Sequence, residues 1–219
     1  MNTKEFEAFQ SSLKTVLSNH VGNNLKYFSC QISESINLSD REREIIKRAI
    51  PKRVYEFSAG RMCAKKCLSY YGVENVELLR GKFGEPLWPE GYSGSITHHQ
   101  NVAIAVTIST NTGARIGIDL VSKLDSLDST DLIACSEELK LFENRGHDVD
   151  PGILIFCIKE SVIKICSPLL QKFIDFREIG LSWGDRGDLH ASISSLNRVM
   201  KVQWIVANNS IFSVSTLDY

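Results

Sequence analysis

Two spacings of apolar residues run through this chain, one suited to helices and one to strands, and the places where they change divide it into elements. The opening MNTKEFEAFQSSLKTVLSNHVG is charged and amphipathic and predicts a helix, after which LKYFSCQISES reads as a strand. The stretch SDREREIIKRAIPKRVYEFSAGRMCAKKCLSYYG predicts helical segments opened by Ser39 or Asp40 and interrupted near Pro51. GKFGEPLWPEGYSGS, rich in Gly and Pro, predicts an irregular loop leading into ITHHQNVAIAVTIST, whose Val/Ile/Ala run reads as a strand. A shorter strand, ARIGIDL, follows the turn at Asn111 to Gly113, so the two together predict an antiparallel hairpin with strands ending at His98 and Asp119.

From Ser122 to Gly152 the periodicity weakens while Asp, Ser and Glu accumulate, which predicts a linker between two halves and a short surface helix around SEELKLFENR. FCIKESVIKIC then predicts the central helix of the second half, and SWGDRGDLHASISS, VMKVQWIVANN and SIFSVSTLDY predict strands separated by Gly/Asp/Asn turns. Strands with a packed helix occur on both sides, so the fold class is α+β, with lobes expected at 1–118 and 119–219. No internal sequence repeat accompanies the similar ingredients of the two halves.

At 219 residues and 43% hydrophobic, the chain is long and apolar enough for a globular core. A net charge of −1 provides no general field for nucleic acid or an anionic membrane, so an anionic ligand must be met by a local basic cluster. The six cysteines include no C-x-x-C pair, which fits a reducing compartment. The N-terminal stretch has neither the apolar core of a signal peptide nor a membrane-spanning run, and a cytoplasmic location is expected.

Four places carry candidate chemistry. In GIDL, Asp119 ends a strand, where it is either a turn cap or a buried carboxylate that requires a cation. In FCIKESVIKIC, Glu160 and Lys164 are one helical turn apart and share a face with Phe156. A surface ion pair there contributes about 0.3–0.5 kcal/mol, a poor reason for charges in so apolar a run; a carboxylate for a divalent cation or a proton, beside lysines for phosphate, is a better one. In GSITHHQ, Ser95, Thr97 and His98 suit an anion, and adjacent His98 and His99 point to opposite faces and so do not chelate one ion together. PKRVYEFSAGRMCAKK supplies Lys52, Arg53, Arg61, Lys65 and Lys66, either a solvated face or a phosphate site, with Gly60 permitting close approach. No Walker loop, G-x-G-x-x-G, zinc spacing or G-x-S-x-G elbow is present.

Taken in order, KRVYEFSAGR, PLWPEGYSGSITHH, RIGIDL and FCIKESVIK resemble the 4′-phosphopantetheinyl transferases of the surfactin (Sfp) type, and most closely their enterobactin synthase component D branch. The resemblance spans Arg53 to Lys164 and includes the W/F-x-x-K-E-[AS] motif as Phe156, Lys159, Glu160 and Ser161. It implies a two-lobed, pseudo-symmetric monomer that binds coenzyme A and magnesium in the cleft between lobes. Such enzymes transfer phosphopantetheine to a serine of an apo carrier protein, as in nonribosomal peptide siderophore synthesis, and release adenosine 3′,5′-bisphosphate.

By that resemblance Asp119 and Glu160 would hold magnesium, Glu160 would also act as general base, and Lys164 and Lys159 would neutralise the α- and β-phosphates. His98, with Ser95 and Thr97 around it, would hold the 3′-phosphate region, and Arg53, Arg61 and Lys82 are further phosphate contacts. Two positions depart from the family pattern. Val121 stands where many members have a second carboxylate, as in G-I-D-x-E, and Glu85 stands where relatives often have a basic residue. The Val121 departure keeps open a homologue that binds coenzyme A or a carrier without turnover, and a metal-dependent phosphohydrolase acting on coenzyme A or related nucleotides is a second alternative.

Overall fold

The computed structural model of the chain describes residues 1–21, 24–127, 129–143 and 149–218. Among them are two antiparallel sheets. The first has the order β1 (Leu25–Gln31), β3 (Val102–Ser109), β2 (Tyr92–His99). The second has the order β4 (Arg115–Ser122), β8 (Ser210–Leu217), β7 (Arg198–Ala207), β6 (Leu189–Ile193), β5 (Ile179–Trp183). Helices are α1 (Thr3–Val21), α2 (Asp40–Ile45), α3 (Pro51–Ser69), α4 (Ser136–Glu143) and α5 (Pro151–Leu170). Among the described residues no helix is long and apolar enough to cross a membrane.

Local chemistry accounts for the helix boundaries. Ser39 caps α2 through a capping box with Glu42, and Pro51 occupies the first turn of α3, where its missing N–H has no consequence. Asp150 caps α5 by accepting from the Ile153 N–H, again with Pro in the first turn. The surface helix expected around SEELKLFENR is α4; Asn144 and Arg145, at the end of that stretch, lie outside the described residues.

Alternation along β3 builds a core on each of its faces. Ala103 and Ala105 lie under Ala59, Cys63, Ala64, Cys67 and Leu68 of α3, the small side chains allowing the helix to lie close. On the other face Val102, Ile104, Val106 and Ile108 join Phe9, Leu13, Val16 and Leu17 of α1, Ile116, Ile118 and Leu120 of β4, and Phe212 and Val214 of β8. This second core is shared by both sheets. A third core fills the space between α5 and the second sheet, including Ile155, Ile158, Val162, Ala191, Met200 and Ile211.

The structure corrects two expectations. ITHHQNVAIAVTIST is not one strand: β2 and β3 form a hairpin that turns at Gln100 and Asn101, with Gln100 at φ 52°. That pairing places β3 between β1 and β2 and leaves it no side for ARIGIDL. β4 therefore pairs with β8, Asp119 opposite Ser213. β4 belongs entirely to the second sheet, so the chain passes from the first sheet to the second between Ser109 and Arg115.

Candidate active site

The two sheets meet where β2 runs beside β4, and α5 packs across β4. Gly117 makes that approach possible. A Cβ there would stand 1.9 Å from the Ser161 carbonyl oxygen, so any side chain would push α5 away from the strand. Ser161 is fully buried, its hydroxyl 2.6 Å from that of Ser215 on β8, and this small side chain lets the helix settle onto the sheet. The G-I-D and K-E-S stretches are thus two sides of one contact, and Lys164, one turn beyond Glu160, reaches Asp119 because of it.

Asp119 is 7% exposed. Its Oδ1 accepts from Lys164 Nζ (2.7 Å) and from the Thr97 hydroxyl on β2 (3.1 Å), while Oδ2 has no hydrogen bond among the described residues. Lys164 Nζ also donates to the Ile118 carbonyl at 2.8 Å, so the ammonium bridges strand and helix. Glu160 is half-buried and makes no hydrogen bond or ion pair with a described residue. Burial raises its carboxyl above the usual range, Lys164 opposing the shift and Asp119 adding to it. A deprotonated Glu160 is therefore a stronger base than a solvent-exposed glutamate.

Glu160 and Lys164 open into a cleft of about 620 Å³ between the lobes. Ile163, Ser167, Pro168 and Gln171 continue their helical stripe, opposite Trp88, Gly94 and Ser95 from the first lobe. Phe83 and Phe173, one from each lobe, meet edge to face at 5.2 Å in its wall. Arg115 also lines the cleft. Counting back by twos from Asp119 places Arg115 and Gly117 on the same face of β4, so period-two alternation was the signal for this cation.

The remaining expected residues divide. Arg53 donates to His98 Nε2 at 2.5 Å, and Glu56, absent from the expected set, lies 3.6 Å from each of them. Burial, then Arg53, lowers the His98 imidazole to about 4, so the ring is neutral at pH 7. Ser95 and Thr97 are not grouped around His98. They occupy the opposite face of β2, where the Ser95 hydroxyl accepts from the Ile118 N–H at 3.1 Å and Thr97 orients Asp119. His99 leans to Asp125, 3.7 Å away. Lys82 is exposed, 5.4 Å from the Phe83 ring centre.

Two expected phosphate contacts are engaged elsewhere. Arg61 is buried over the Phe57 ring and donates to the Leu78 carbonyl at 2.6 Å, so it anchors the loop after α3. Burial lowers its pKa to about 10, which leaves it charged at neutral pH. Lys159, 1% exposed, faces away from the cleft and donates to Glu138 Oε2 (2.8 Å), the Ile133 carbonyl (2.9 Å) and the Phe176 carbonyl (3.1 Å). All three of its protons are used. Val121 lies in the apolar core beneath α5, and Glu85 folds back to accept from the Phe83 N–H at 2.9 Å, closing its own loop.

Comparison with known proteins matches this arrangement twice along the chain. The family model of the 4′-phosphopantetheinyl transferase N-terminal domain covers residues 41–108, and that of the 4′-phosphopantetheinyl transferase superfamily covers 115–210. The chain is 30% identical over 154 residues to 4′-phosphopantetheinyl transferase Npt of Nocardia iowensis, covering 68% of each chain. It belongs to the 4′-phosphopantetheinyl transferase superfamily.

Within that superfamily it is 35% identical over 149 residues to the transferase Svp of Streptomyces mobaraensis, a match covering 66% of this chain and 61% of that protein, under two thirds of its length. It is 32% identical to enterobactin synthase component D of Salmonella typhi over 77% of this chain and 74% of that one. The break between the two superfamily segments falls where the chain leaves the first sheet for β4.

Proposed function

We propose that this chain transfers the 4′-phosphopantetheine arm of coenzyme A to a serine of an apo carrier protein, releasing adenosine 3′,5′-bisphosphate. The observation that supports this most directly is the Asp119–Lys164 ion pair beside a cleft of about 620 Å³ that Lys164 and Glu160, one helical turn apart, both line. Glu160 would take the proton from the carrier serine as its oxygen attacks the β-phosphorus. Lys164 and Arg115, both lining the cleft, would neutralise phosphate oxygens, and Arg53, beside neutral His98, would contact the 3′-phosphate.

The donor set suits magnesium. Asp119 Oδ2 and the Glu160 carboxylate are hard oxygens without hydrogen-bond partners among the described residues. When bound there, the ion would polarise the pyrophosphate and stabilise charge on the leaving phosphate. Among the described residues no group of three or more His, Cys, Asp or Glu side chains is placed to hold a metal, so substrate oxygens and water would complete the shell.

Relatives named for enterobactin synthesis support a carrier from nonribosomal peptide siderophore assembly as the partner. The test is intact-protein mass spectrometry of several apo carriers incubated with coenzyme A, magnesium and this protein. Gain of one phosphopantetheine on a siderophore carrier is expected. No gain on any carrier would refute the transfer, and nucleotide release without a carrier would indicate a phosphohydrolase instead.

A further inference from the structure

Away from the cleft, two thiols touch. Cys30 on β1 and Cys63 on α3, 33 positions apart in the sequence, have their sulfurs at 3.5 Å. The contact follows from the packing of α3 over β1 and β3. Cys63 is fully enclosed, its thiol also directed at the Ala103 carbonyl (3.7 Å), and Ala103 is the cross-strand partner of Cys30. Cys67, one turn further along α3, is directed instead at the Ala105 carbonyl (3.3 Å). Among the described residues no other two cysteine sulfurs are in such contact.

We propose that Cys30 and Cys63 form a dithiol site that a small-molecule disulfide such as oxidised glutathione converts into an intramolecular disulfide, joining β1 covalently to α3. A disulfide bond is about 2.05 Å long, so the sulfurs must close by about 1.5 Å. Rotation of Cys30 provides this, since it is only half-buried and lies on an edge strand.

The two sulfurs differ in a way that orders the steps. Cys30 is reachable from solvent, and the hydrogen bond from Cys63 holds its thiol below the usual range. Its thiolate attacks one sulfur of the oxidised glutathione; the S–S bond of that molecule breaks, and one glutathione leaves as thiolate and takes a proton from solvent. Cys63, enclosed and raised chiefly by the neighbouring Cys30 sulfur, is closed to the oxidant. Once Cys30 is in the mixed disulfide it no longer carries a thiolate charge. Cys63 then attacks Cys30 Sγ, the Cys30–glutathione S–S bond breaks, and the Cys63 proton passes to the departing glutathione thiolate, which leaves as the thiol. Two protein thiols are oxidised to one disulfide, and one glutathione disulfide is reduced to two thiols.

The experiment treats the full chain with oxidised glutathione, alkylates it under denaturing conditions and maps its peptides. We expect Cys30 and Cys63 both to escape alkylation as a linked pair reversed by dithiothreitol, any glutathione on the exposed Cys135 being mapped separately, and a melting temperature several degrees higher, because the bond closes a long loop of the unfolded chain. In Cys63→Ala the reaction should stop with glutathione held on Cys30, and in Cys30→Ala Cys63 should carry neither glutathione nor a disulfide. Alkylation of both Cys30 and Cys63 after treatment, a different linked pair, or a persistent Cys30 adduct in the unsubstituted protein would overturn the proposal. None of these readouts depends on the proposed transferase reaction.

Discussion

Replacing Lys159 by methionine separates two roles for a lysine of the K-E-S stretch. In the structure this ammonium is enclosed, and it ties α5 to the start of α4 through Glu138 and Ile133 and to the Phe176 carbonyl beyond α5. Methionine fills similar volume but leaves Glu138 buried without its counter-ion, and Glu138 Oε1 already has no hydrogen-bond partner among the described residues. Removing one member of a buried pair costs about 3–5 kcal/mol. At roughly 2–4 °C per kcal/mol for a chain of this size, the melting temperature should fall by about 6–20 °C. Calorimetry of the variant gives that number, and titration with coenzyme A gives the affinity of what remains folded. We expect a large loss of stability, partly restored when Glu138→Gln is added, with coenzyme A binding within a few-fold of the parent. A variant that melts with the parent and binds coenzyme A ten-fold more weakly would refute the placement, because it would show that Lys159 serves the phosphates.

Glu160→Gln and Asp119→Asn should each lower turnover of an apo carrier by at least about 10²-fold, Glu160→Gln with the melting temperature little changed and Asp119→Asn with a lower one because Lys164 loses its counter-ion, measured by carrier mass shift and calorimetry. Because burial raises the Glu160 carboxyl, its protonation followed by NMR in magnesium-free protein should have a midpoint above the ordinary 4.5, and a midpoint at or below that value would contradict its enclosure. Arg115→Ala should raise KM for coenzyme A with kcat nearly unchanged; an unaltered KM would remove Arg115 from the phosphate site. Burial lowers both His20 and His98 from 6.5 to about 4, so each favours folding above pH 6.5, and that contribution should be lost progressively as pH falls from 6.5 to 4. Denaturant titrations across this window should show less of the loss in His20→Asn or His98→Asn. Gly117→Ala should cost several degrees of melting temperature, since its methyl would collide with the Ser161 carbonyl, and a variant as stable as the parent would contradict the close strand–helix contact.

The signals that were legible in the sequence were local ones. Ser39, Pro51 and Asp150 mark helix starts by backbone chemistry, and Glu160 with Lys164 follows from one helical turn. Strand partners were less legible, because pairing is decided by which edges are free. ARIGIDL resembles a third member of the first sheet until Gln100 is seen to turn the chain and occupy β3 on both sides. Side-chain direction explains the misplaced cations. Lys159 and Glu160 are adjacent in sequence but about 100° apart around the helix, so one faces α4 and the other the cleft. Arg61 lies eight positions after Arg53, yet the loop carbonyls of Leu78 and Leu79 reach it first. Glu56 went unnoticed within a basic run, although it lies beside both His98 and Arg53.

The core that α1 shares with β3, β4 and β8 limits how this protein can be taken apart. Expressing either sheet alone would expose the faces of Ile104 and Val106 or of Ile118 and Val214 to water, so the pieces should aggregate rather than fold. Exchanging lobes with a relative would require matching this seam residue by residue. The same seam ties the two walls of the cleft to one packed core. If the proposed transfer holds, differently shaped carriers would be accommodated by the rim loops, and engineering a new carrier preference would be a problem of loop sequence, with the two sheets left as they are.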